Sequence, residues 1–194
     1  MKYYYRLKED GTFLDYTSFE DNANVPAFIK ELYTETDREI IVLTDGSFAF
    51  KDTVDLEAET KRKAEKEFNE AKQAKLQEVD TWTASKITGG FVSLASGEPV
   101  TYDSDKDTQL TMQGIALNVQ TPLFATEYPN GCPVRGYPIG SDVKQVYMLN
   151  AEQVMRWCAD LSMHIGSCKQ RGWELQAQVK ACTTKEELES IVLE

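Results

Sequence analysis

The most regular pattern of apolar and polar positions lies near the C-terminus. Cys158, Leu161, Ile165, Cys168, Gly172, Leu175, Val179 and Cys182 recur at spacings of three and four. That is the seam of a long amphipathic helix. Val154 extends the seam backwards, Trp157 and His164 widen its apolar edge, and Trp173 falls off it. Asn150 and Gln153 have the spacing of a capping box, so the helix is expected over 151–181. Gly172 costs about 1 kcal/mol against Ala in mid-helix, which calls for a close helix approach or a slight bend there. With Gly172 set aside, Cys158, Cys168 and Cys182 are the small residues of this face and are expected to be buried and reduced.

A second helical stretch has the opposite character. Residues 55–88 are rich in Ala, Glu and Lys with no Pro or Gly, and the pair Gly89-Gly90 ends the run. Ala64, Phe68, Ala71, Leu76, Val79 and Trp82 form a narrow stripe that slips register. A solvated linker helix and a coiled-coil seam both fit it. Phe68, Leu76, Val79 and Trp82 are the candidate contacts to a partner or a second copy. On this reading a chain lacking residues 1–85 should still fold.

Elsewhere the pattern is that of short strands. "KYYYRL" and "TFLDYTSF" flank a turn at Gly11, and a short helix is expected at 25–33. "REIIVLTDGSFAF" (38–50) reads as a hairpin about Asp45-Gly46, a pair suited to a type I′ turn. Two strand-like runs surround Gly97-Glu98-Pro99, and a helix carrying Leu110, Ile115 and Leu117 should cover about 106–118. Residues 121–142 hold four of the six prolines, which predicts a loop or edge strands and excludes a central strand. A strand at 143–149 precedes the long helix, and a final short helix should follow Thr184. In that last helix Glu187 completes a capping box, with Leu188 and Ile191 facing inward. The expected fold class is α+β, with a β-rich unit at 1–54, a helical connector at 55–90 and a C-terminal α+β domain at 91–194. In the last of these a small sheet packs on the long helix.

Composition narrows the function classes. A net charge of −11, from 32 acidic and 21 basic side chains, disfavours nucleic acid as a partner. The start "MKYYYRLKEDG" lacks the apolar run of a secretory signal, and no apolar stretch approaches a membrane span. A cytoplasmic protein, with no membrane partner, is expected. Cys132, Cys158, Cys168 and Cys182 form no CxxC pair and His164 is the sole histidine, so no zinc site is expected.

The candidate chemistry is confined to "VTYDSDKDTQ". Asp103, Asp105 and Asp107 alternate as at the start of a calcium loop. However, the sharp-turn glycine is replaced by Thr108, and the bidentate glutamate by Gly114. A single cation on the three aspartates remains an alternative reading. The Asp-x-Asp after a strand is also similar to that of haloacid-dehalogenase-like phosphohydrolases, but the alternating strands and helices of a doubly wound sheet are missing. Helix-start chemistry accounts for the same residues. Ser104 or Asp105 caps the next helix, and Asp107 sits in its first turn against the positive end of the dipole. No catalytic residue and no cofactor is assigned.

The order of parts adds a resemblance. A Lys/Glu/Ala-rich helix leads into "GGFVSLASGEPVTYDSDKDTQLTMQGI". Later come a strand, a capped long helix and the closing "TKEEL". Over about residues 60–192 this resembles the bacteriophage and prophage family called domain of unknown function 4376, from which the segment 121–142 departs. Residues 1–54 resemble, more loosely, the small N-terminal units of short phage tail-region proteins. The resemblance implies a tail-fibre assembly factor or a minor virion component with tail or tail-fibre proteins as partners. It would act in the host bacterial cytoplasm or in the virion tail.

Overall fold

The computed structural model describes residues 1–194 and is α+β. Two compact units divide the chain, Met1–Ala71 and Lys72–Glu194.

In the first unit, β1 (Lys2–Leu7) pairs antiparallel with β2 (Phe13–Phe19). Alternation along β1 sends Tyr4 to one face, where it meets Phe19 near α1 (Ala27–Leu32), with Ile29 also buried. Tyr5 goes to the other. The third strand, β3 (Thr34–Thr36), pairs on the far side of β1. A hairpin of β4 (Ile40–Val42) and β5 (Phe48–Phe50) lays Phe50 against Tyr5 and Phe13, and Phe48 against Tyr16. The N-terminal aromatics are therefore largely spent on this unit's own packing.

The two hairpins share one turn, and it is not type I′. Gly11 and Gly46 are left-handed, at φ 81° and 84°, and no other residue type has a positive φ. The Leu43 N–H donates to the Ser47 carbonyl and the Gly46 N–H to the Leu43 carbonyl, with the same pattern over Lys8–Thr12. Asp45 accepts from the N–H and hydroxyl of Ser47, as Asp10 does from Thr12. Those bonds hold the aspartate right-handed and leave only the glycine in the region L side chains avoid.

The second unit begins inside a helix. α2 (Leu56–Thr88) runs through the division, so the expected connector is not a separate body. From Lys72 onward it lines up antiparallel to α5 (Ala151–Ala181). The Lys72 ammonium donates to the Cys182 carbonyl, Gln176 to Asp80, and His164 Nε2 lies 3.0 Å from the Lys86 carbonyl. Val79, a candidate partner contact by its position on the stripe, is instead 0% exposed. Thr83, one turn on, faces Gly172, which makes this the close approach that the mid-helix glycine called for.

Gly172 carries a quantitative consequence. A Cβ there would lie 3.1 Å from Thr83 Cγ2 and closer still to Oγ1. Helix propensity alone predicts a gain of about 1 kcal/mol for Gly172→Ala, whereas overpacking costs about 1–3 kcal/mol. Urea denaturation should show Gly172→Ala destabilising in the parent chain and neutral or stabilising in a Thr83→Ala background. A parent chain made more stable by Gly172→Ala would show that the helices are farther apart.

Between these helices the chain builds an antiparallel sheet, in the order β6 (Phe91–Ser93), β7 (Val100–Tyr102), β8 (Cys132–Pro138), β9 (Gln145–Leu149). The helices α3 (Lys106–Asn118) and α4 (Leu123–Glu127) lie between β7 and β8. Phe91, Val100, Tyr102, Met112, Phe124 and Leu149 join Val154, Trp157 and Leu161 of α5 in one core. On α3 it is Met112 that faces this core, while Leu110 and Leu117 stay exposed. A last helix, α6 (Lys185–Glu189), starts at the Thr184–Glu187 capping box and buries Leu188, with Ile191 beyond it.

Two expectations fail in this unit. Residues 132–138, with Pro133 and Pro138, form an inner strand of the sheet. The pairing is staggered: β9 covers only Cys132–Gly136 and β7 only Gly136–Pro138. Each proline therefore has a neighbour on one side only, where a missing N–H breaks no ladder. The cysteines are all free, but only Cys132 is fully buried, and Cys158, Cys168 and Cys182 are half-buried. Burial still pushes the Cys132 and Cys158 thiols up from their ordinary values.

Candidate functional site

The aspartate cluster does not form a site. The Asp105 side chain caps α3, accepting from the N–H groups of Asp107 and Thr108, both at 3.0 Å, and from the Thr108 hydroxyl. The Thr108 hydroxyl and N–H hold its carboxyl below the usual range. Asp107 lies in the first turn of α3, as helix-start chemistry requires. Asp103 is paired instead with the Lys144 ammonium, which sits 5.0 Å from the centroid of the Tyr137 ring. Ser104 is not a cap. It is wholly buried, accepting from the Gly90 N–H and donating to the Ile87 carbonyl at the end of α2. No group of three His, Cys, Asp or Glu side chains gathers anywhere to hold a metal ion.

The candidate partner stripe on α2 is divided in the same way. Phe68 is half-buried in the first unit, and Leu76 and Trp82 are half-buried in the second. Val79 belongs to the interior. The four do not make one exposed face.

An exposed apolar face does exist, on the C-terminal sheet. Strand alternation sends Phe91, Val100, Tyr102, Val134 and Leu149 to the helices. The alternate residues point the other way: Val92 on β6, Tyr137 and Arg135 on β8, Val146 and Met148 on β9. The register places Pro133 opposite Met148 and Arg135 opposite Val146, while Thr101 stands between Val92 and Tyr137. Val92, Leu94, Val146 and Met148 are 56%, 57%, 60% and 49% exposed. A solvated antiparallel sheet face ordinarily alternates to polar residues, and scattered single apolar side chains would need no explanation. A group does, and Val146, Met148 and Pro133 adjoin on β8 and β9; exposed apolar groups of this kind mark protein-binding surfaces.

No part of the sequence pattern singled out this face. "FV" and "VYML" are apolar at successive positions, which reads as strands buried on both sides. Only the tertiary arrangement, with helices on one side of the sheet, shows which residues are left uncovered.

The profile of the family described as domain of unknown function (DUF4376) matches residues 70–192. The chain belongs to that family. Comparison with curated proteins and with solved structures gives no match. The DUF4376 region begins almost where the second compact unit does, so the shared sequence includes the half of α2 that carries Val79, Trp82 and Thr83. It also contains the whole β6–β9 sheet. Neither α2 nor any other helix of this DUF4376 protein is long and apolar enough to cross a membrane.

Proposed function

We propose that this protein acts by binding another protein, without catalysis, through the outer face of the β6–β9 sheet. The observation that carries the reading is the exposure of Val146 and Met148 beside Pro133 on the β8–β9 side of this face, with Val92 exposed on the β6 edge. Burying them in an interface would remove apolar area from water at about 25 cal/mol per Å². The resemblance to phage and prophage proteins supports a more specific role, as a tail-fibre assembly factor or a minor tail component. Its partners would then be tail or tail-fibre proteins, met in the host cytoplasm during assembly or in the virion.

The experiment is co-expression with the tail and tail-fibre proteins of the same phage, followed by co-purification. The full chain should retain one of them, and the variant Val146→Asp with Met148→Asp should lose it, with an unchanged circular dichroism spectrum. Retention by both proteins alike would mean that this face is not the interface. Recovery of no tail protein by the full chain would remove the tail assignment.

A further inference from the structure

The four strands of the C-terminal sheet contain one charged residue, Arg135, in a chain whose net charge is −11. It lies on the outer face, exposed, across from Val146 and within two residues of Pro133 and Tyr137. The other cation on that face, Lys144, is already engaged by Asp103. Arg135 has no ion pair and no hydrogen bond, and its positive charge opposes that of Lys144. An unpaired guanidinium set among apolar side chains gains most from a carboxylate, which it can hold by two parallel N–H···O bonds while the surrounding contact excludes water.

We infer that the partner presents an aspartate or glutamate flanked by apolar side chains, with the carboxylate received by Arg135. The inference rests on the reading of this sheet face as a protein-binding surface and names the chemistry of what it binds. A second copy presenting the same sheet face does not meet the requirement. The strands carry no acidic residue, Asp103 is held by Lys144, and two bodies of charge −11 repel. Arginine rather than lysine suits the role, because its planar fork fixes the orientation of the carboxylate and its weaker hydration lowers the cost of covering it.

The test is selection of a displayed random-peptide library on the purified full chain, repeated with Arg135→Gln and with Val146→Asp/Met148→Asp. Peptides selected by the parent should carry an acidic residue between apolar ones. Their affinity should fall about tenfold or more with Arg135→Gln, since hydrogen bonds to charged groups contribute at that level. Selected peptides that are apolar without an acid, and that are lost only with the Val146/Met148 variant, would overturn the inference while leaving the face as the interface. Peptides that bind all three proteins alike, or no binder at all, would overturn both. A dimer of the full chain that dissociates on Arg135→Gln, seen by sedimentation, would make a second copy the occupant and also overturn it.

Discussion

A fragment beginning at residue 86 should not fold, whereas one spanning Lys72–Glu194 should melt cooperatively. The first lacks Leu76, Val79, Trp82 and Thr83, the side chains that α2 contributes to the second unit. Val79 is completely buried, and burying a valine contributes about 1.5–3 kcal/mol by itself. Adding the half-buried Leu76 and Trp82 brings the loss to a large part of the 5–15 kcal/mol that a domain ordinarily has. It also removes Thr83 from against Gly172 of α5. Circular dichroism and thermal melts of the two fragments settle the matter. A cooperative transition in the 86–194 fragment would mean that the sheet and α5 suffice, and that the C-terminal half of α2 is only an accessory.

Gly136→Ala should be among the most damaging single substitutions in the second unit. Gly136 is the only residue of β8 paired on both sides, to Tyr102 and to Gln145. A Cβ there would lie 2.9 Å from Cδ1 and Cε1 of Tyr102 and closer still to Val100 Cγ1. Both neighbours are buried, with Val100 0% and Tyr102 1% exposed, so neither can swing into solvent to make room. Interiors are close-packed, and inserting one methyl into such a site costs about 1–3 kcal/mol, sometimes more. A loss of about 3 kcal/mol in urea denaturation is expected. Combining it with Val100→Ala should cost less than the sum of the two single changes, because the two share one space. A Gly136→Ala chain within about 0.5 kcal/mol of its parent would show that the strands have space to spare there, as is usual only away from such features.

The candidate chemistry was legible in outline. The Asp105 cap follows from sequence because capping is local: a carboxylate ahead of a helix meets the free N–H groups two and three residues on. Asp103 could not be placed that way, since its partner Lys144 lies 41 residues away and is brought close by the pairing of β7, β8 and β9. The exposed sheet face was illegible for a similar reason. Val92 and Phe91 are both apolar strand residues, and only the position of α5 decides that one is covered and the other is not.

By itself the sequence determined what depends on near neighbours. The capping boxes at Asn150–Gln153 and Thr184–Glu187, the helix at 106–118, the two Asp-Gly hairpins and the long seam of α5 all appear where local spacing puts them. Their interactions span three or four residues, or a single tight turn, so the pattern and the bond are the same information. The tertiary structure alone decided where the second unit starts, which side of α2 is interior and how β8 carries two prolines. It also decided which side of the sheet stays open. Each of these depends on partners far apart in the chain: Thr83 beside Gly172, Lys72 at Cys182, and β8 staggered between β7 and β9. Apolar periodicity says that a face must be covered but carries no record of what covers it, and for the face around Arg135 the second unit supplies no cover of its own.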